Sequence, residues 1–400
     1  MNYTSLVRRF TSLPVAAIAA SLAAGAPMAG AQGESTTAPL AADAMADYRR
    51  ALAEYQKAHA AYAAAAEAYW SSIAQQRHLR SAKRANHEPI SIDDYVLAQT
   101  PVYTGPPRPR DPSKPPAPPP YVPVVDDFLG AAREEFNFVP RLPQSEGEFK
   151  RAYAKVALAA GLTPEQIVRI YSFEAGGNGQ YDVQAGLEHS KQARAITTAL
   201  GYNQLLATNS VEIIAESGDR FAASLQAQAA VLPDAEKTAL ARKIAILRKM
   251  IKFARSVPDD WNEHQALAGT RKGLAIHALN LDVDIGPLLQ AQKLLDSVAF
   301  AHRKGFSQAL TAAELEMMNL TGDGNGFDMI TVPKEWRNQV PTANFFLQGG
   351  YRDNPVAQRN NVIGKLIAAT DTHMDREVKL PGSKELAAAL NAATASREAN

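Results

Sequence analysis

Gly161-Leu162-Thr163-Pro164-Glu165-Gln166-Ile167-Val168-Arg169-Ile170-Tyr171-Ser172-Phe173-Glu174 is the stretch on which the fold turns. It opens a helix. Thr163 is a good N-cap, because its oxygen can take one of the free amides at a helix start. Pro164 follows at the first helical position, where its missing donor costs nothing. Gln166 completes a capping box, and Leu162 can pack on Ile167. The apolar face then runs Ile167, Ile170, Tyr171. Glu174 falls next on that face, four residues after Ile170 and three after Tyr171. Gly176 and Gly177 stop the helix. A carboxylate at a helix C-terminus, on the face meant for burial, is held towards its neutral form by desolvation and by the negative end of the dipole. A glutamic acid that stays protonated near neutral pH is what general-acid cleavage of a glycosidic bond requires.

Composition points the same way on fold class. The chain has 400 residues, 46% hydrophobic and only 7% aromatic, with no cysteine. It leans on Ala, Leu, Glu, Gln and Lys, which are helix formers, so a mostly α protein is expected. Expected helices are 147–160, 163–174, 187–200, 207–230, 234–256, 263–280, 286–304 and 311–319. Leu279 to Ile285 and Phe327 to Val332 are the strand-like runs. Without cysteine there is no disulfide, thiolate metal site, cysteine nucleophile or lipid attachment. A formal charge of +1 gives no reason to expect nucleic acid.

Residues 1–31 read as an export signal. Arg8 and Arg9 are followed by the apolar run Leu13 to Ala24, and Ala29-Gly30-Ala31 supplies small residues for cleavage after Ala31. Removing the two arginines leaves 40 basic against 41 acidic groups, a net of −1. No other run is long and apolar enough to span a bilayer, so a periplasmic or secreted product is expected. Residues 32–100 form an alanine- and tyrosine-rich helical arm. Tyr48, Tyr55, Tyr62 and Tyr69 recur every seven residues, with Leu52 and Ile73 each four after a tyrosine. The helix 41–85 could dock an envelope partner, or pack on its own domain. Its basic end, with Arg77, Arg80, Lys83 and Arg84, reads as a solvated face or a contact for an anionic polymer. Residues 101–123 hold eleven of the 25 prolines and read as a semi-stiff linker. Residues 124–380 then form one helical domain around a single core, and 381–400 a tail.

The run Ala159 to Glu174 resembles the active-site helix of soluble lytic transglycosylases and goose-type lysozymes, members of the lysozyme-like superfamily. Gly201-Tyr202-Asn203-Gln204, ending thirty residues after Glu174, resembles their Gly-Leu-Met-Gln motif, which lines a sugar groove. The resemblance covers about fifty residues. The family's Ser after the glutamate is Ala175 here, its Met is Asn203, and Ala278-Leu279-Asn280 lacks the tyrosine of its Ala-Tyr-Asn segment. What the resemblance implies is a lysozyme-like helical domain. It further implies cleavage between N-acetylmuramic acid and N-acetylglucosamine in peptidoglycan glycan strands, with Glu174 as acid and then base while a 1,6-anhydro ring closes. Gly201, Tyr202, Asn203, Gln204 and Tyr181 are the candidate sugar contacts, and Asp182 is the carboxylate that would activate a water instead. The alternative is a non-catalytic envelope scaffold of the same fold. No metal or cofactor is expected. Asn319 to Asp328 has the oxygen spacing and glycine of half a calcium loop, but Ile330 stands where the glutamate belongs. His264, His277 and His302 show no ligand spacing. Asp371-Thr372-His373-Met374-Asp375 is no more specific. Trp261, Trp336, Phe345, Phe346 and Tyr351 are aromatics for a groove or a core.

Overall fold

The computed structural model describes residues 37–116, 118–177, 195 and 197–398. The protein is mostly α. Its helices are α1 (Thr37–Ala85), α2 (Val125–Phe136), α3 (Glu146–Ala159), α4 (Pro164–Ala175), α5 (Ala207–Ala229), α6 (Asp234–Ala254), α7 (Trp261–Ala268) and α8 (Arg271–His277). They continue with α9 (Gly286–Arg303), α10 (Ala312–Thr321), α11 (Asp323–Ile330), α12 (Gln348–Arg352), α13 (Pro355–Arg359), α14 (Ile363–Glu377) and α15 (Pro381–Glu398). Among the described residues there is no strand, only isolated bridges such as Leu200–Leu205. Neither strand-like run is a strand: each begins in a helix and ends in a turn. Ala278–Leu281 is a 3₁₀ turn that continues α8, and Phe327 lies inside α11. Their β-branched and aromatic side chains are there because the site is buried, not because it is extended. The expected helix 263–280 is broken in two at Gly269, where Thr270 caps a new start through the amide of Gly273. The expected helix 187–200 lies mostly outside the described residues, and 197–200 is not helical.

Two apolar cores replace the expected single one. The first joins α3, α4, α10, α11, α14 and α15 around Phe149, Ile167, Ile170, Met317 and Leu366. The second joins α2, α5, α6 and α8 around Phe128, Ile214, Leu247 and Ile276. α9 serves both, Leu289 in the second and Leu294 in the first. Buried polar side chains meet at this junction. Gln290 donates to Asn280 Oδ1 at 2.7 Å, Asn280 donates to Ser210 Oγ at 2.8 Å, and Ser210 pairs with His277 Nδ1 at 2.8 Å. Satisfied polar groups of this kind fix a register that apolar side chains would leave loose. Burial pushes the His277 imidazole down to about 4, so it stays neutral here.

Residues 381–398 are not a tail. α15 packs on α3 and α4, with Leu386 and Leu390 in the first core. Gly382 N–H donates to Gly177 O at 2.8 Å, and Ser172 and Ser383 hydroxyls meet at 2.7 Å, so α15 pins the end of α4.

α1 has 49 residues, roughly 73 Å at 1.5 Å per residue. Its C-terminal part belongs to the body. Ile73 is 1% exposed and Arg80 0%. The basic run is an anchor rather than a solvated face. Arg80 Nε donates to Asp328 Oδ2 at 2.9 Å, Arg84 pairs with the same carboxylate, Arg77 donates to Phe346 O at 2.7 Å, and Lys83 pairs with Asp94 at 2.6 Å. The start of the proline segment runs back along this helix. Tyr69 OH donates to Ala98 O at 3.1 Å, and the Tyr103 ring lies 5.4 Å from those of His59 and Tyr62.

Candidate active site

α4 forms as its sequence dictates. Thr163 Oγ1 accepts from Gln166 N–H at 3.1 Å, Gln166 Oε1 accepts from Thr163 N–H at 3.0 Å, and Gly176 ends the helix at φ 66°. Ile167, Ile170 and Tyr171 are buried as the spacing requires, and Glu174 follows them at the rim of a groove.

This groove has a volume of about 2850 Å³ and runs between the two cores, with Ile213 and Phe221 on one side and Ala291 and Phe327 on the other. Glu174 and Gln204 both line it. Asn319, at the last turn of α10, donates to Glu174 Oε1 at 2.6 Å. Burial pushes the Glu174 carboxyl up to about 7, against the lowering pull of Lys293, Glu316 and Asn319.

The Gly-Tyr-Asn-Gln motif is a tight turn closed by mutual 3.0 Å hydrogen bonds between Leu200 and Leu205. Gly201 sits at φ 81°, and a Cβ there would fall 2.3 Å from Gln290 Nε2, so glycine is required twice over. The turn divides its side chains. Gln204, at φ 44°, lines the groove; its Nε2 returns to Gly201 O, and its Oε1 is enclosed without a hydrogen-bond partner. Tyr202 and Asn203 face inwards, which corrects their assignment as sugar contacts. Tyr202 is 0% exposed, donates to Glu146, and stacks edge-on against Phe149, Tyr153 and Tyr171. Asn203 donates to Tyr153 OH at 2.8 Å and to Gln290 O at 2.7 Å. Both side chains are enclosed in the body, where a sugar in the groove cannot reach them, and Asn203 Oδ1 has no hydrogen-bond partner there. Gly201 is likewise buried against Gln290. Tyr181 and Asp182 lie outside the described residues.

Three groove carboxylates were not singled out by the sequence, Glu212 and Glu216 on α5 and Asp296 on α9, and a fourth, Asp323 at the start of α11, was read only within half a calcium loop. Burial pushes Glu212 up to about 7, reinforced by the charges of Glu216, Asp296 and Asp323, and pushes Asp296 up to about 6. Lys293 is the cation whose field opposes all these shifts. Glu212 and Glu216, like charges one turn apart on α5, were the available signal. Glu316 on α10 was also missed, and Asn319 was read as a loop oxygen rather than as a partner of Glu174. Glu316 is a lone carboxylate in the apolar run Leu315 to Met318.

Asn319 to Asp328 is mostly helix rather than a loop. Gly322 separates two helices, Asp323 accepts from Ser297 Oγ at 2.6 Å, and Asp328 is held by two arginines. Asp371 and Asp375 both bind Arg169, and His277 bonds Ser210 and Thr198. Among the described residues no three His, Asp or Glu side chains converge as a metal site. Of the aromatics, Trp261 lines the groove, whereas Phe345, Phe346 and Tyr351 are core. The arrangement can donate a proton from Glu174, take it back, and hold a polar ligand through Gln204 and the carboxylates. No family model, no curated protein and no solved structure matches the chain.

The groove acids give stability a pH dependence. Glu174, Glu212 and Asp296 bind protons more tightly folded than unfolded, so the native state holds extra protons between about pH 4 and 7. These three groups therefore cost stability as pH rises through that window, outweighing the opposing gain from His277, whose imidazole is held at about 4. Asp94, Glu148 and Asp284 are shifted down instead, and their contribution is lost only below the ordinary carboxylate range. The melting temperature should peak near pH 5. Melting curves of Glu212→Gln should show a smaller drop between pH 5 and pH 8 than wild type. An equal or larger drop would contradict the assignment.

Proposed function

We propose that the protein is an exported, lytic-transglycosylase-like enzyme with a lysozyme-like helical domain. Its substrate is the glycan strand of peptidoglycan, cleaved between N-acetylmuramic acid and N-acetylglucosamine. The observation that supports this reading is that Glu174 and Gln204, thirty residues apart, line the same groove, with the Glu174 carboxyl raised to about 7. Glu174 protonates the glycosidic oxygen as the bond to C1 breaks. The muramoyl C6 hydroxyl then closes on C1 and returns its proton to Glu174. No second carboxylate has to act as nucleophile, unlike the usual two-carboxylate hydrolases. Gln204 holds a sugar in register through its side-chain amide. Export to the periplasm or outside the cell rests on residues 1–31.

The inward turn of Tyr202 and Asn203 favours a second reading, a peptidoglycan-binding scaffold without catalysis. An envelope partner docking on the 41–85 helix would find Tyr55, His59 and Tyr62 already packed on Tyr103, and Ala66, Tyr69, Ile73 and Arg80 buried. Purified sacculi separate the two readings. Release of soluble anhydro-muropeptides by wild type, and not by Glu174→Gln, supports the enzyme. Co-sedimentation of wild type with sacculi and no release supports the scaffold.

A further inference from the structure

Behind Glu174 lies a second carboxyl group for which the reaction above has no use. Glu316 is 2% exposed and sits one helical turn before Asn319 on α10. Asn319 reaches Glu174 Oε1 at 2.6 Å. Glu316 Oε2 is fully enclosed and has no hydrogen-bond partner among the described residues, although the Asn319 amide also bears on the Glu316 carboxyl as a donor. As a carboxylate, that oxygen would be a buried acceptor without a donor, an expensive arrangement. As a carboxylic acid it becomes a donor, with the Glu174 carboxylate as the acceptor beside it.

We propose that Glu316 is a positioning residue for Glu174: it keeps its proton and donates a hydrogen bond to the Glu174 carboxylate. This rests on the reading of Glu174 as the acid and base. The charged groups that bear on Glu316 are Glu174 from α4 and Lys293 from α9. α11 brings Asp323 to the same lysine, and α14 packs against α10 with Leu366 and Thr370 buried. Burial, and then the charge of Glu174, hold the Glu316 carboxyl well above the usual range, in agreement with the geometry.

The consequence is differential. While Glu174 is protonated, the two carboxyls gain little from each other. Once its proton has gone to the glycosidic oxygen, the new negative charge meets the Glu316 O–H and the Asn319 N–H. Donors that strengthen their bonds as charge develops lower the barrier rather than merely tightening binding. Ring closure returns a proton to Glu174, and Glu316 ends as it began.

The test is a side-chain carboxyl NMR titration of the full chain, with the pH profile of muropeptide release beside it. Glu316→Gln keeps a donor but cannot titrate. It should leave the Glu174 midpoint within about half a pH unit of wild type, and turnover within roughly fivefold. Glu316→Leu removes the donor. It should raise the Glu174 midpoint by about one unit and lower kcat roughly tenfold or more, with KM little changed. Should Glu316→Leu fail to fold, the Glu316→Gln titration decides alone. A Glu174 midpoint that falls towards the ordinary carboxylate range in Glu316→Gln overturns the proposal, because Glu316 was then an ionised neighbour. So does an unchanged midpoint in Glu316→Leu. If wild type releases nothing from sacculi while the titrations behave as expected, the enzymatic reading fails and the pairing stands.

Discussion

Glu174→Gln is expected to lower muropeptide release by a factor of about 10² to 10⁴, the range that a positioned acid or base contributes. The upper part of that range is expected, because Glu174 serves in both steps: it gives the proton to the leaving oxygen and takes one from the hydroxyl that closes the ring. The glutamine has the same volume and keeps an oxygen for Asn319, which donates to Glu174 Oε1 at 2.6 Å. The groove should therefore hold its shape, and KM should change little. Stability separates this outcome from misfolding. Above pH 7 the variant lacks one of the crowded groove charges, so its melting temperature should match or exceed that of wild type. Chromatography of the soluble products, together with a melting curve at pH 8, checks both parts. A loss of activity accompanied by a lower melting temperature would count against a catalytic role.

The second large effect is structural. Asp328→Ala should destabilise the fold by about 3–5 kcal/mol, the usual consequence of stranding a buried charge. Arg80 is 0% exposed, and its other hydrogen bonds go to the Asp94 and Asn344 carbonyls, so Asp328 is the carboxylate it depends on. Arg84 pairs with the same group and loses it too. For a body of this size the melting temperature should drop by roughly 10 °C. Hydrogen exchange should rise first around Ile73 to Ala85, where α1 meets the body. Replacing both partners, as in Arg80→Met with Asp328→Leu, should recover much of the loss, because apolar groups leave no charge unpaired. An Asp328→Ala protein as stable as wild type would show that α1 does not need this anchor.

These two results fall on opposite sides of what the sequence made legible. The capped start of α4, its apolar face and its glycine stop were all readable, because Thr163, Pro164, Gln166 and Gly176 act through local backbone chemistry. The same local signals give the bounds of α5 and α9 within a residue or two. What remained hidden was set by distant partners. Arg80 looked like part of a solvated basic run, and only the fold brings Asp328, 248 residues on, to meet it. Tyr202 and Asn203 looked like sugar contacts by their place in a motif. The turn geometry that exposes Gln204 necessarily points its neighbours the other way, and the inward pocket was built by Phe149, Tyr153 and Gln290. Glu316 and Asp328 share a signature that was available: a single carboxylate inside an apolar helical run. Such a residue has to find a proton or a cation, and here one finds each.

The most direct measurement of the central proposal is the mass of the fragments that wild-type protein releases from purified sacculi. Muropeptides lighter by one water than the hydrolysis products, and absent when Glu174→Gln is used, are the predicted result. Fragments carrying an added water would contradict the single-carboxylate ring closure, and no fragments above the Glu174→Gln background would contradict cleavage altogether.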